Sequence, residues 1–211
     1  MSELTTETGT ESSPFQALVF DLGGVLVAHD NQVLAERLAS RCSPASTAQA
    51  VGRLIRGTDW SAGPPISRLH DQLRDGLGYG PGWDEFVADW CCHFAVDHAM
   101  LAFVEGLTTH NRVMLFSNTN KQHWDFLVAA TDGRLARLEA YLSHEIGCTK
   151  PSLRSFQRVA EEAGIDPARS VFFDDLQANV DGARSAGFQA ELFESQVNLT
   201  QFLNGKGVRL S

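Results

Sequence analysis

Short apolar runs alternate with helix-periodic segments along most of the chain. Ala17-Leu18-Val19-Phe20, Arg112-Val113-Met114-Leu115-Phe116, Leu138 to Ser143, Ser170-Val171-Phe172-Phe173 and Phe188 to Phe193 each read as a strand. Each is brief, apolar and bounded by turn residues, the signature of a strand buried on both faces. Between them, Met100 to Thr109, Gln122 to Ala130, Pro151 to Ala163, Gln177 to Ala186 and Val197 to Leu203 carry helical periodicity. Pro151 is expected to open its helix and Gly164 to close it. Strands alternating with helices predict an α/β fold, a parallel sheet with helices on both faces.

One stretch breaks the alternation. From His29 to Asp97 the pattern predicts helices only, over Val33–Ala39, Ala48–Arg56, Ile66–Asp75 and Trp83–Phe94, with no strong strand. Asp30 or Asn31 is a candidate N-cap for the first. Turns fall at Ser43-Pro44, Gly63-Pro64-Pro65 and Gly76 to Gly82. The expected organisation is therefore a core built from 15–28 and 98–211, with a helical insertion over 29–97. Residues 1–14, rich in Ser, Thr, Glu and Gly, read as a disordered tail without the features of a signal peptide.

Composition narrows the partners. The 211 residues carry a net charge of -9, which disfavours a nucleic-acid backbone. No segment approaches the roughly 20 apolar residues of a membrane span. Cys42, Cys91, Cys92 and Cys148 show no Cys-x-x-Cys spacing, so reduced thiols and a cytoplasmic setting are the expectation. Adjacent Cys91 and Cys92 beside His93 suggest either a metal or, better suited to their apolar setting, thiols packed on a helix.

The chemistry lies in the residues that end the strands. Ligands of parallel sheets sit beyond the carboxyl ends of the strands. Asp21, Ser117, Asn118, Asp174 and Asp175 each directly follow a predicted strand, and Lys150 precedes a helix within reach of the same edge. Singly, Ser117-Asn118 is a helix cap and Asp174-Asp175 a turn. Together, three carboxylates, a lysine, a hydroxyl and an amide suit a divalent cation and a phosphate, and hard oxygen ligands select Mg²⁺.

These residues carry a resemblance to the haloacid dehalogenase-like hydrolase superfamily. It covers Ala17 to Leu192 through Val19-Phe20-Asp21-Leu22-Gly23-Gly24-Val25-Leu26, Leu115-Phe116-Ser117-Asn118-Thr119-Asn120, Lys150-Pro151 after Ser143 to Gly147, and Val171-Phe172-Phe173-Asp174-Asp175 with Asn179, Ala183 and Gly187. The subgroup it most resembles holds glucose-1-phosphate phosphatases and the phosphatase domain of soluble epoxide hydrolases. The resemblance implies a Rossmann-like three-layer core, with 29–97 as a small helical cap inserted after the first strand. It implies that Asp21 is the nucleophile and that Asp21, the Gly23 carbonyl and Asp175 hold Mg²⁺, with Asp174 nearby or as a further ligand. Ser117 and the backbone around Asn118 would then hold the phosphoryl oxygens, and Lys150, a catalytic as well as a phosphate-binding residue, would offset the cluster of negative charge and fix Asp21. The implied substrate is a small phosphorylated metabolite. Its identity and the oligomeric state are open.

One departure stands out. Most phosphatases of the superfamily carry a second Asp two residues after the nucleophile as general acid and base, and here Gly23 takes that place. His29 and Asp30 are candidate surrogates. The ordinary use of Asp30 is to cap a helix, and that of His29 is as a solvated or hydrogen-bonded polar residue. Three readings follow: a Mg²⁺-dependent phosphatase, with a sugar phosphate as one candidate substrate; a carbon–halogen hydrolase, whose halide needs no proton to leave; and a non-catalytic phosphate-ligand or protein-binding relative. Trp60, Tyr79, Trp83 and Trp90 are candidate cap aromatics or core packing, and Trp124 an entrance or packing residue.

Overall fold

The computed structural model describes residues 13–210, so most of the expected tail lies outside the described residues. The chain opens with β1 (Ala17–Phe20) and a tight turn into β2 (Val27–His29). Helices α1 (Asn31–Ala39), α2 (Ala48–Arg56), α3 (Ser67–Leu77) and α4 (Trp83–Cys91) follow, and then β3 (Phe94–Val96). The remainder alternates: α5 (His98–Leu107), β4 (Val113–Ser117), α6 (Lys121–Ala130), β5 (Glu139–Leu142), the one-turn α7 (Ser143–Ile146) and α8 (Leu153–Ala163). It closes with β6 (Ser170–Asp174), α9 (Gln177–Ser185), β7 (Gln189–Leu192) and α10 (Gln196–Gly205).

Five strands form one parallel sheet in the order β5-β4-β1-β6-β7. The strand period of two explains how both faces are covered. Leu18, Phe20, Val113, Leu115, Val171 and Phe173 enter one apolar cluster with α5 and α10. Their neighbours Ala17, Val19, Met114, Phe116 and Phe172 enter the other with α8 and α9. Burial of both faces is why these strands are continuous apolar runs rather than alternating ones. The sheet grows outward from β1 in both directions, so its central strand ends lie at a topological switch point.

Residues of α1 to α4 form a third apolar cluster of their own, including Leu34, Leu38, Val51, Leu69, Leu73, Tyr79, Phe86 and Trp90. Its buried carboxylate, Asp89, accepts hydrogen bonds from Arg37 Nε (2.6 Å) and the Tyr79 hydroxyl (2.7 Å). Cys42 and Cys91 pack inside it, and burial pushes the Cys91 thiol up to about 12.

Three expectations from the sequence need correction. The stretch at its two ends is not purely helical: β2 and β3 pair antiparallel, His29 opposite Phe94, into a two-stranded ribbon where the chain leaves and re-enters the sheet core. Three-residue strands are too short to show a period, and Cys92-His93-Phe94 continues the helical pattern of α4 in sequence alone. Pro151 does not open α8; Ser152 caps it by accepting from the Ser155 amide, and Pro151 sits in the preceding turn. Residues from Ser143 turn into α7 rather than extending β5.

No helix among the described residues is long and apolar enough to cross a membrane.

Candidate active site

The sheet's registry brings the polar residues together. Phe20 pairs with both Leu115 and Phe173, so the next residues on these central strands emerge side by side. Asp21 donates its amide to the Phe173 carbonyl (2.9 Å), which fixes its side chain beside Asp174.

Lys150 lies between the two carboxylates. Its Nζ is 2.7 Å from Asp21 Oδ1 and 2.7 Å from Asp174 Oδ2, with the lysine side chain fully buried. The rings of Phe116 and Phe172 flank the ammonium at 5.3 and 5.2 Å. Asn118 holds the lysine backbone from both sides: its amide donates to the Lys150 carbonyl (2.9 Å) and its Oδ1 accepts from the Lys150 amide (2.9 Å). Asp174 has both oxygens engaged. Oδ1 accepts from the Leu176 amide and Asn179 Nδ2 (both 2.9 Å), and Oδ2 accepts from Lys150 and, at 3.0 Å, from Asn179. Asp174 and Asn179 thus anchor the lysine, a role for Asn179 that a helical amide in sequence does not announce.

Asp175 points the other way, against the turn after β1. A Cβ on Gly24 would come within 2.2 Å of its carboxylate, and Gly24 sits at φ 74°, so glycine is required there on both counts. Asp21, Asp174 and Asp175 each offer an oxygen within 4.8 Å of the others. Burial pushes the Asp21 carboxyl up to about 6, with Lys150 opposing the shift and Asp174 adding to it. Burial, then Asp174, also raises Asp175. Three carboxylates clustered near one ammonium leave excess negative charge in a largely buried site, and the all-oxygen donor set fits a small hard dication.

A cavity of about 310 Å³ opens over this cluster. Asp21, Gly23, Ser117, Asn118, Lys150 and Asp175 line its inner part. His29 also lines it, and its ring lies 3.6 Å from where a Cβ on Gly23 would stand. Asp30 is not among the lining residues. It caps α1, accepting from the Gln32 amide (2.8 Å) and the Val33 amide (3.3 Å). The outer wall is formed by Val27, Phe94, Leu127, His93 and His123. Nothing in the sequence marks this wall, because it depends on the short ribbon and on how α6 meets it. Of the candidate aromatics, Tyr79 and Trp90 pack in the helical cluster and Trp124 packs against the sheet core. Trp60 packs in the helical cluster as well and, with the exposed Trp83, borders a separate hollow of about 320 Å³.

A polar strap joins the helical part to the core near this cavity. The buried Ser143 hydroxyl lies 2.8 Å from the Ser61 carbonyl and accepts from the Thr119 amide (2.9 Å), two residues past Ser117.

Comparison with known proteins agrees with this architecture. The family model described as haloacid dehalogenase-like hydrolase matches residues 15–187. The chain belongs to that hydrolase family. Among solved structures, it is similar to the HAD family enzyme bt-2542 from Bacteroides thetaiotaomicron, with TM-score 0.78 and 22% identity over 90% of this chain and 98% of that one. The same enzyme in complex with magnesium and inorganic phosphate superposes with TM-score 0.76 at 24% identity, covering 88% of this chain and 98% of that one. Among curated proteins, the chain is 25% identical to a D-ribitol-5-phosphate phosphatase of Bacteroides thetaiotaomicron, over 82% of this chain and 88% of the relative. It is 42% identical to Phosphatase MT3486 of Mycobacterium tuberculosis over 52 residues, which is 25% of this chain and only 24% of that protein.

Proposed function

We propose that this protein is a Mg²⁺-dependent phosphatase of small phosphate monoesters, working through an aspartyl-phosphate on Asp21. The observation that carries the reading is the buried Lys150 bridging Asp21 and Asp174, with Asp175 beside them, at the floor of a cavity. A structural role alone does not call for so much unbalanced charge at the end of a sheet.

Asp21, Asp175 and the Gly23 carbonyl would hold the ion, while Asp174, already saturated, positions Lys150. When bound, Mg²⁺ supplies the positive charge that lets a carboxylate approach a phosphate dianion. Asp21 attacks phosphorus, the bond to the ester oxygen breaks, and its electron pair leaves with the alcohol. Water then attacks phosphorus, releasing phosphate and restoring Asp21. Ser117 and the backbone at Asn118 face the phosphoryl oxygens, and Lys150 offsets their charge. Helices α1 to α4 act as the cap, with domain limits near 29 and 97.

Gly23 leaves the ester oxygen without the family's carboxylic acid. His29, whose ring stands beside Gly23, is the residue placed to give and take that proton. Asp30, spent on capping, is not. A sugar phosphate with an anomeric leaving oxygen needs a general acid less, and the D-ribitol-5-phosphate phosphatase at 25% identity supports a polyol or sugar ester. One test covers both the metal and the phosphatase activity. Hydrolysis of an aryl phosphate is expected with Mg²⁺, is expected to stop with EDTA, and is expected to return with added Mg²⁺. Metal-independent halide release from a short haloacid would instead establish the carbon–halogen reading. Phosphate binding without turnover would establish a non-catalytic one.

A further inference from the structure

The outer wall of the cavity is built without charge. Among the described residues, Lys150 is the only lysine or arginine lining the cavity, and its ammonium is committed to Asp21 and Asp174 with no exposed side-chain surface. On the helical part, Arg37 of α1 is committed to Asp89. The wall itself is Val27, Phe94 and Leu127 with the imidazoles of His93 and His123.

Those rings form a fixed assembly. His123 stacks on Trp90 at 4.7 Å and 15°, and meets Phe94 edge-on at 4.7 Å and 85°. His93 lies 4.1 Å from Phe94 and 5.5 Å from His123. Burial pushes His93 down to about 4 and His123 to about 3, with other imidazoles adding in each case. Both are therefore neutral at physiological pH and bring an anion no positive charge; His123 Nε2 lies 3.3 Å from the Trp90 carbonyl, and the unpartnered His93 Nδ1 is closed off from solvent.

Resting on the phosphatase reading of the same site, we propose that the enzyme selects phosphate monoesters whose leaving group is uncharged and presents an apolar face to the Phe94–His123–Leu127 wall. Esters with a second anion, a carboxylate or another phosphate on the leaving group, are rejected. The second anion would lose water against a wall that returns no cation. An alkyl or aryl group, or the carbon face of a sugar, loses nothing comparable. Sugar monophosphates fit this class, whereas sugar bisphosphates and phosphorylated hydroxy acids do not.

The matched pair for the test is benzyl phosphate and 4-carboxybenzyl phosphate. Their ester oxygens are chemically alike, and they differ by one remote charge. With Mg²⁺ at about pH 8, above the ordinary imidazole range, kcat/KM is expected to favour benzyl phosphate by about 100-fold or more. Asn31 lies at the cavity's exposed mouth, in the first turn of α1, where a cation is accommodated without repacking. Asn31→Arg is expected to narrow the ratio by about tenfold. Equal kcat/KM for the two esters in the natural protein overturns the inference, as does a ratio that Asn31→Arg leaves unmoved. Hydrolysis of neither ester brings down the phosphatase reading itself, an outcome distinct from loss of selectivity.

Discussion

Asp21→Asn is expected to reduce phosphatase turnover by on the order of 10⁴-fold or more, the scale seen when a covalent nucleophile is removed. The same change is expected to raise the melting temperature of the metal-free protein at neutral pH. These opposite effects have one cause. The Asp21 carboxyl titrates at about 6 in the fold against 3.8 as its ordinary value, chiefly because it is buried. Between those values the unfolded chain gives up the proton first, so charging Asp21 works against the fold and does so fully above the higher one. Asparagine escapes that penalty, and Lys150 keeps Asp174 as its partner at 2.7 Å. Below the lower value both states are protonated and the gain should vanish. Calorimetry across this range, beside steady-state kinetics, checks both halves. A variant that keeps its turnover removes Asp21 from the chemistry. A variant that is less stable when metal-free contradicts the electrostatic origin of the effect.

Gly23→Asp is the second large effect, and it runs toward gain. Gly23 is not among the glycines with positive φ, and a Cβ there meets only the His29 ring, at 3.6 Å, an ordinary contact. The backbone therefore accepts an L-residue, and an Asp carboxyl there would reach the same space beside the nucleophile. General acid–base catalysis is worth about 10²–10⁴-fold, so an alkyl phosphate with a poor leaving oxygen should gain within that range. An aryl phosphate, whose leaving oxygen needs little protonation, should gain much less. His29→Asn should slow the alkyl ester in the natural sequence. It should have little effect when combined with Gly23→Asp, because the proton then has another source. Equal gains for both esters, or none for the alkyl ester, would remove proton transfer as the explanation of what Gly23 lacks.

Much of this site is legible in the sequence. The strands of the sheet are apolar on both faces, so Asp21, Ser117 and Asp174 stand out as abrupt changes of polarity, and one rule about strand ends gathers them. The direction of each side chain is not legible. Asp174 and Asp175 are neighbours in sequence, yet successive residues leaving a strand point to opposite sides, and only one faces Lys150 and Asn179. Nor does the sequence show what the Asn118 side chain does: it grips the Lys150 backbone through two hydrogen bonds across 32 positions of sequence. The ribbon of β2 and β3 is invisible in sequence because three residues cannot express a period. With it goes the aromatic and imidazole wall, which exists only where α6 and that ribbon meet.

Catalysis as proposed depends on a covalent bond between phosphorus and Asp21. Its most direct test is rapid acid quenching of the protein with a radiolabelled aryl phosphate and Mg²⁺, followed by peptide mapping. Label is predicted on the peptide carrying Asp21, released by hydroxylamine as an acyl phosphate is, and absent from Asp21→Asn. Steady turnover with no protein-bound label in the quench, or label retained in Asp21→Asn, would contradict it.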